Sequence, residues 1–128
     1  QFLLPGEPQV YYVGLLNGPD DKELFEKTGN GREVNRHHYS PEEIDKALES
    51  DVTLAILGLA RLRKHEVFSG TFDWQKLTNS SMRLSWSSQL AELSLEFEFA
   101  GGKSSFSLSL KDDSGLRTFS SVSELANL

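Results

Sequence analysis

The chain has 128 residues, a net charge of −6 and no cysteine. This length suits one ordinary domain or parts of two. The acidic balance argues against a nucleic-acid partner, which selects a basic face. The absence of cysteine excludes disulfides and thiolate metal sites, and it fits a cytoplasmic protein. No apolar run is long enough to span a membrane, and no basic segment of a signal peptide precedes the first apolar residues.

The first residues predict the end of a larger α/β body. The chain opens on Gln1 and runs apolar into a Pro-Gly pair, which is typical of a helix end and indicates a piece of a longer protein. Residues 9–13 then form a nearly continuous apolar run, which predicts a strand buried on both faces of a parallel sheet. Its two tyrosines, Tyr11 and Tyr12, are expected in the core.

A long irregular segment and a helix come next. Residues 14–39 lack periodicity apart from one helical turn predicted within 20–27, and loops this long in compact domains are usually functional or disordered. A serine, a proline and two glutamates at 40–43 predict a helix start with a capping box. Apolar residues at spacings of three and four continue this helix to about residue 63, and a second capping serine, Ser50, splits it into two segments.

From Phe68 onward, apolar and polar residues alternate, which predicts an antiparallel meander with one solvated face. The four predicted strands are 71–74, 82–86, 93–99 and 105–110, and a weak fifth is expected at 117–119. Glu96 and Glu98 alternate with apolar residues, so they belong to the solvated face rather than to a catalytic pair. Trp74 and Trp86 fall on the apolar side of the pattern and are predicted to be core residues.

Four stretches of the sequence resemble sucrose phosphorylases, which are glucoside phosphorylases of the α-amylase superfamily. They are LPGEPQVYYVG at 4–14, DDKE at 20–23, GREVNRH at 31–37 and EID at 43–45. The third is the most specific. The resemblance covers residues 1 to about 72. It implies that residues 1–67 end a (β/α)8 barrel, with strand 8, an active-site loop and helix 8, and that residues 68–128 form a C-terminal antiparallel β domain. The 128 residues themselves are predicted to be α+β.

The resemblance also implies an activity for the longer chain, here called the parent chain. It would be a glycosyltransferase that moves a glucosyl unit from sucrose or a related α-glucoside to inorganic phosphate by double displacement. The nucleophile and the acid/base would lie upstream, so no catalytic residue is expected here and the 128 residues alone are predicted to be inactive. No cofactor and no metal are implied. The parent chain is expected in the cytoplasm, and whether it forms a homodimer stays open.

Within the active-site loop, Arg32 matches a family arginine that reaches the glucosyl subsite and hydrogen-bonds the sugar's 4-hydroxyl. Its five N–H donors form a rigid fork that suits fixed oxygen positions. Gly31, Asn35, Arg36 and His37 are expected to support the loop, the glycine by permitting close backbone approach. The alternative without a function is that Arg32 is a surface arginine paired with a neighbouring acidic residue. Such a pair would contribute little to stability.

Two residues depart from the family pattern. Glu33 stands where the family usually has Asp, and His38 stands where it usually has Tyr. The second change bears on loop packing or on a phosphate- or acceptor-side contact. The donor therefore stays open among sucrose, phosphorylated sucrose, glucosylglycerate and other glucosides. Adjacent histidines rarely chelate one metal ion, so no metal site is expected.

Two other functions stay open. One is a stand-alone sugar-binding β domain that uses Trp74 or Trp86. The other is an interaction domain in which residues 1–66 complete another chain's barrel.

Overall fold

The computed structural model describes all 128 residues and contains five α-helices and one five-stranded sheet. The helices are α1 (Tyr12–Leu15), α2 (Lys22–Thr28), α3 (Pro41–Leu48), α4 (Asp51–Leu62) and α5 (Val122–Leu125), and the strands are β1 (Thr71–Lys76), β2 (Ser81–Ser87), β3 (Glu92–Ala100), β4 (Lys103–Asp112) and β5 (Gly115–Phe119). All strand pairs are antiparallel, in the order β1-β2-β3-β4-β5. The predicted meander is therefore confirmed. No helix has the length and apolarity needed to cross a membrane.

The predicted start and break of the long helix both occur where serine caps a helix. At the start of α3, the Glu43 backbone N–H donates to Ser40 Oγ at 3.2 Å, and the Ser40 N–H donates to Glu43 Oε2 at 2.7 Å. This reciprocal pair is a capping box. Ser50 caps the start of α4, where its hydroxyl accepts from the Thr53 N–H at 3.2 Å without a reciprocal bond. Two short helices result because each serine satisfies backbone donors that a continuous helix would not leave free.

A single core joins helices α4 and α5 to one face of the sheet. Its buried members are Leu3, Ala55, Leu62, Val67, Leu84, Trp86, Ala91, Leu93, Leu108, Leu110 and Leu125. The Trp86 indole N–H donates to the Leu3 carbonyl at 2.7 Å, which ties the first residues of the chain to strand β2. This core crosses the boundary expected near residues 67–70, and the division into domains 1–67 and 68–128 stays a prediction.

The predicted strand at 9–13 is absent from the structure, and that prediction was wrong for this chain. Tyr11 has extended dihedrals (φ −76°, ψ 147°), but Tyr12 already begins helix α1. A strand needs a neighbour to receive its backbone hydrogen bonds, and the one sheet present is built from residues 71–119. For the same reason Tyr11 and Tyr12 are 53% and 38% exposed rather than buried in a core.

The two tryptophans of the sheet differ in burial. Trp86 is 6% exposed, as predicted, whereas Trp74 is 58% exposed and its core assignment was wrong. Both project from the apolar face, since Trp74 pairs with Leu84 in the register next to Trp86. Trp74 lies on the edge strand β1, which has a neighbour on one side only. The alternation thus identifies the apolar face correctly but does not tell which part of it the rest of the fold covers.

We expect Gly70→Ala to destabilise the protein by about 3 kcal/mol, at the upper end of the cost of overpacking. A Cβ at Gly70 would lie 2.0 Å from the Ser87 carbonyl oxygen, so the first pair of β1 and β2 would have to separate. Gly14→Ala is the matched control, because a Cβ there meets no atom within 4 Å and alanine favours a helix. Urea unfolding of both variants measures the difference, and equal stabilities would contradict the close approach.

Candidate functional site

Residues 28–38, here called the arginine loop, connect α2 to α3 and are held by their own polar groups. Gly29 ends α2 in the left-handed region, at φ +63°, which glycine adopts without strain. The Asn30 side-chain oxygen accepts from the Arg32 backbone N–H at 3.1 Å. The Val34 carbonyl accepts from the Asp21 N–H at 2.8 Å, which fastens the loop to the start of α2. The loop backbone is therefore fixed on both sides of Arg32.

The Arg32 side chain lies exposed on this loop, and its guanidinium makes neither a hydrogen bond nor an ion pair. Glu33, its neighbour, instead pairs with Arg36 at 3.5 Å between Arg36 Nη1 and Glu33 Oε1. The alternative interpretation, that Arg32 is a surface arginine in an ion pair, required an acidic partner, and the structure provides none. Five N–H donors are thus available to oxygen atoms of a ligand.

His37 lies at the base of the arginine loop, between two carboxylates. Its Nε2 is 3.3 Å from Glu43 Oε1, and its Nδ1 is 3.8 Å from Asp21 Oδ2. The Tyr39 ring packs edge-on against the imidazole, with 4.5 Å between the ring centroids. The His37 carbonyl accepts from the Tyr12 hydroxyl at 3.1 Å. His37 therefore contacts groups from α1, α2 and α3.

Two groups around His37 have shifted pKa values. The Ser40 backbone N–H is the main cause that lowers the pKa of Glu43; burial opposes it and His37 adds to it. Burial raises the pKa of Tyr39, and the Glu43 charge adds to the effect. The Tyr39 hydroxyl is buried without a hydrogen-bond partner. At neutral pH the cluster therefore presents an ionised Glu43 and a neutral Tyr39.

The remaining predicted loop-support residues make fewer contacts. Asn35 is exposed in a 3₁₀ turn over Glu33–Asn35, and its side chain makes no hydrogen bond. A Cβ at Gly31 would meet no atom within 4 Å, so nothing in this chain requires glycine there. The side chain of His38 is exposed and makes no polar contact. No three histidine or carboxylate side chains are grouped so as to hold a metal ion.

The sequence interpretation missed the roles of Asp21, Glu43 and Tyr39 beside His37. A signal for the first two was present, because both stand at helix starts, Asp21 as the N-cap of α2 and Glu43 in the first turn of α3. Nothing in their spacing from His37 indicated the contact, since the two helix starts converge only in the folded chain. For Tyr39 we find no signal in the sequence.

Comparison with known proteins shows what the chain is related to. No family model matches it. Sucrose phosphorylase from Bifidobacterium adolescentis is 46% identical over 99 residues, which cover 77% of this chain and 20% of the relative. Sucrose phosphorylase from Agrobacterium vitis is 44% identical over 110 residues, which cover 85% of this chain and 22% of the relative.

A solved structure agrees with these sequences. The crystal structure of sucrose 6F-phosphate phosphorylase from Thermoanaerobacter thermosaccharolyticum superposes with a TM-score of 0.82 at 35% identity, over 94% of this chain and 25% of that one. These relatives are glucoside phosphorylases. The chain belongs to the sucrose phosphorylase family and spans about a fifth of the length of the curated relatives it matches. The resemblance identified from the four sequence stretches is therefore confirmed, whereas the structure contains no barrel, and the assignment of residues 1–67 to the end of one stays a prediction.

Proposed function

We propose that this chain is the C-terminal part of a retaining glucoside phosphorylase that transfers a glucosyl unit from sucrose or a related α-glucoside to inorganic phosphate. A carboxylate of the parent chain attacks the anomeric carbon while an acid protonates the departing oxygen. A phosphate oxygen then displaces the carboxylate, which gives a glucosyl phosphate with the anomeric configuration retained. Both reacting side chains belong to the upstream part of the parent chain, and the similarity to sucrose phosphorylases supports this assignment.

The contribution of this chain to the site is the Arg32 guanidinium. The observation that carries this proposal is that the Arg32 side chain is exposed and unpaired on a loop in which Glu33 pairs with Arg36 and His37 lies against Glu43. A guanidinium held in this way donates to the 4-hydroxyl of the glucosyl unit and selects a sugar that carries an oxygen there. The free donors cost little in the unoccupied protein because water satisfies them, and the sugar replaces that water.

Exposed apolar side chains support the proposal that further polypeptide covers this half of the chain. Ile44, Leu48 and Val52 follow one another at a spacing of four along α3 and α4, and each is 37–41% exposed. Exposed apolar side chains at this spacing are typical of a surface that contacts other protein. In the parent chain it packs against the barrel, and the extended backbone at Tyr11 becomes part of strand 8 once a neighbouring strand accepts its hydrogen bonds.

The test is an assay of the parent chain with sucrose and inorganic phosphate. We expect phosphate-dependent formation of glucose 1-phosphate, and we expect the 128 residues alone to form none, because no nucleophile or acid is proposed within them. Phosphorylated sucrose and glucosylglycerate are assayed beside sucrose, since the donor is the part of the proposal that the sequence leaves open. Activity of the isolated 128 residues, or a parent chain inactive on all three donors, would overturn the proposal.

A second candidate function rests on one observation, the 58% exposure of Trp74 at the sheet edge. An exposed indole offers a stacking platform for a sugar ring, as a sugar-binding β domain requires. Titration of this chain with sucrose while tryptophan fluorescence is recorded tests this candidate. A spectral shift that disappears in Trp74→Ala would support it. An unchanged spectrum leaves Trp74 as an uncovered apolar side chain.

A further inference from the structure

The arginine loop is closed at its base by His37, which bridges carboxylates from two different helix starts. Asp21 caps α2, where its Oδ1 accepts from the Leu24 N–H at 2.9 Å, and its Oδ2 faces His37. Glu43 completes the capping box of α3 through Oε2, and its Oε1 faces His37. Each carboxylate thus uses one oxygen to fix itself to a helix and offers the other to the imidazole.

The two carboxylates lie at different distances from the ring. Nε2 is within hydrogen-bond distance of Glu43 Oε1 at 3.3 Å, whereas Nδ1 lies 3.8 Å from Asp21 Oδ2. His37 thus lies between the two carboxylates that cap α2 and α3. The charged and titratable groups around the ring are Asp21 from α2, Glu43 from α3, the Tyr12 hydroxyl from α1, Tyr39, and Arg36, which is engaged with Glu33.

We propose that His37 is a positioning residue that clamps the starts of α2 and α3 together across the base of the arginine loop and thereby fixes Arg32 over the sugar site. The anchoring contacts lie within this chain, and their effect on catalysis rests on the proposed function. Without the imidazole, the Glu43 and Asp21 oxygens that face it lose their contact, so the loop base loosens.

The clamp is tested first on the 128-residue chain, by a measurement that needs no activity assay. Asp21→Asn and Glu43→Gln keep their helix caps, because asparagine and glutamine serve those positions, but each removes one charge beside the ring. By NMR, we expect faster amide exchange across residues 28–36 in both variants. Glu42→Gln is the control, since Glu42 precedes Glu43 on the same helix and makes no contact with His37. Equal exchange rates in all three variants would overturn the clamp.

The effect on catalysis is tested in the parent chain by a double-substitution cycle. We expect His37→Asn to raise KM for the glucosyl donor and lower kcat/KM by about tenfold, with a smaller change in kcat. In an Arg32→Ala background the same substitution changes kcat/KM by less than about twofold, because His37 acts through Arg32. Glu43→Gln repeats the cycle with a variant that keeps its capping box, in case His37→Asn lowers the amount of folded protein.

The outcomes separate the two proposals. An equal tenfold loss in both backgrounds, or no loss in either, would overturn the positioning role of His37 while the assignment of Arg32 stands. If Arg32→Ala itself leaves kcat/KM unchanged, the assignment of Arg32 fails, and the amide-exchange measurement still decides whether His37 clamps the loop.

Discussion

Replacing Arg32 by alanine in the parent chain is expected to lower kcat/KM for the glucosyl donor by about 100-fold, which corresponds to about 2.7 kcal/mol of transition-state stabilisation. The estimate follows from the loss of a charged donor to a sugar hydroxyl, since hydrogen bonds to charged groups contribute about 1.5–3 kcal/mol each. Arg32 has no partner within this chain, so its removal leaves no unsatisfied protein group behind. The free energy of unfolding should change by less than about 0.5 kcal/mol.

Two further variants make the Arg32 result interpretable. Arg32→Lys should recover part of the activity, because lysine keeps the charge but replaces the planar fork by a single point donor. Arg83→Ala is the matched control, since Arg83 is an arginine of strand β2 whose side chain is 41% exposed and pairs with Glu96 at 2.6 Å on the solvated face. Its kcat/KM should stay within about twofold of the unmodified protein. Equal losses in Arg32→Ala and Arg83→Ala would indicate a general charge effect rather than a sugar contact.

Leu93→Ala is expected to lower the free energy of unfolding by about 2–5 kcal/mol, the range found for leucine truncation in a packed core. Leu93 is 1% exposed and lies on the central strand β3, where it pairs with Trp86 on one side and Leu110 on the other. Truncation leaves a cavity between strands that are fixed by hydrogen bonds on both sides, so the site collapses little.

The same substitution at Leu116 is the control for Leu93. Leu116 lies on the edge strand β5 and is 68% exposed, so its truncation should change the free energy of unfolding by less than about 0.5 kcal/mol. Urea unfolding followed by circular dichroism measures both variants under one condition. Similar losses at the two positions would contradict the placement of the core on the helix-facing side of the sheet.

The fold of residues 68–128 could be predicted because each strand carries its own alternating pattern, and the turns between strands contain glycine, serine or asparagine. The start of α3 could also be predicted, because Ser40 and Glu43 form a local capping box. Helix α5 was not predicted, although Ser121 and Glu124 repeat the same capping pattern. Its apolar run spans only one turn, and one turn gives no helical period to recognise.

What could not be predicted depends on neighbours distant in sequence. The apolar run at 9–13 has the composition of a buried strand, but a strand forms only where another strand receives its hydrogen bonds. Trp74 has the pattern of a core residue, but its burial depends on what covers the edge of the sheet. The bridge from His37 to Asp21 and Glu43 joins two helix starts that lie 22 residues apart, so local spacing could not indicate it.

The most direct test of the central claim pairs Arg32→Ala with a donor glucoside that lacks the 4-hydroxyl. If the Arg32 guanidinium donates to that hydroxyl in the parent chain, the deoxy donor should lose about 100-fold in kcat/KM with the unmodified protein and only a few-fold with Arg32→Ala. In that case, once either the guanidinium or the 4-hydroxyl has been removed, removing the other has little further effect on kcat/KM. An equal loss of kcat/KM for the deoxy donor in both proteins would show that Arg32 does not contact the 4-hydroxyl, and it would contradict the proposed role of the arginine loop.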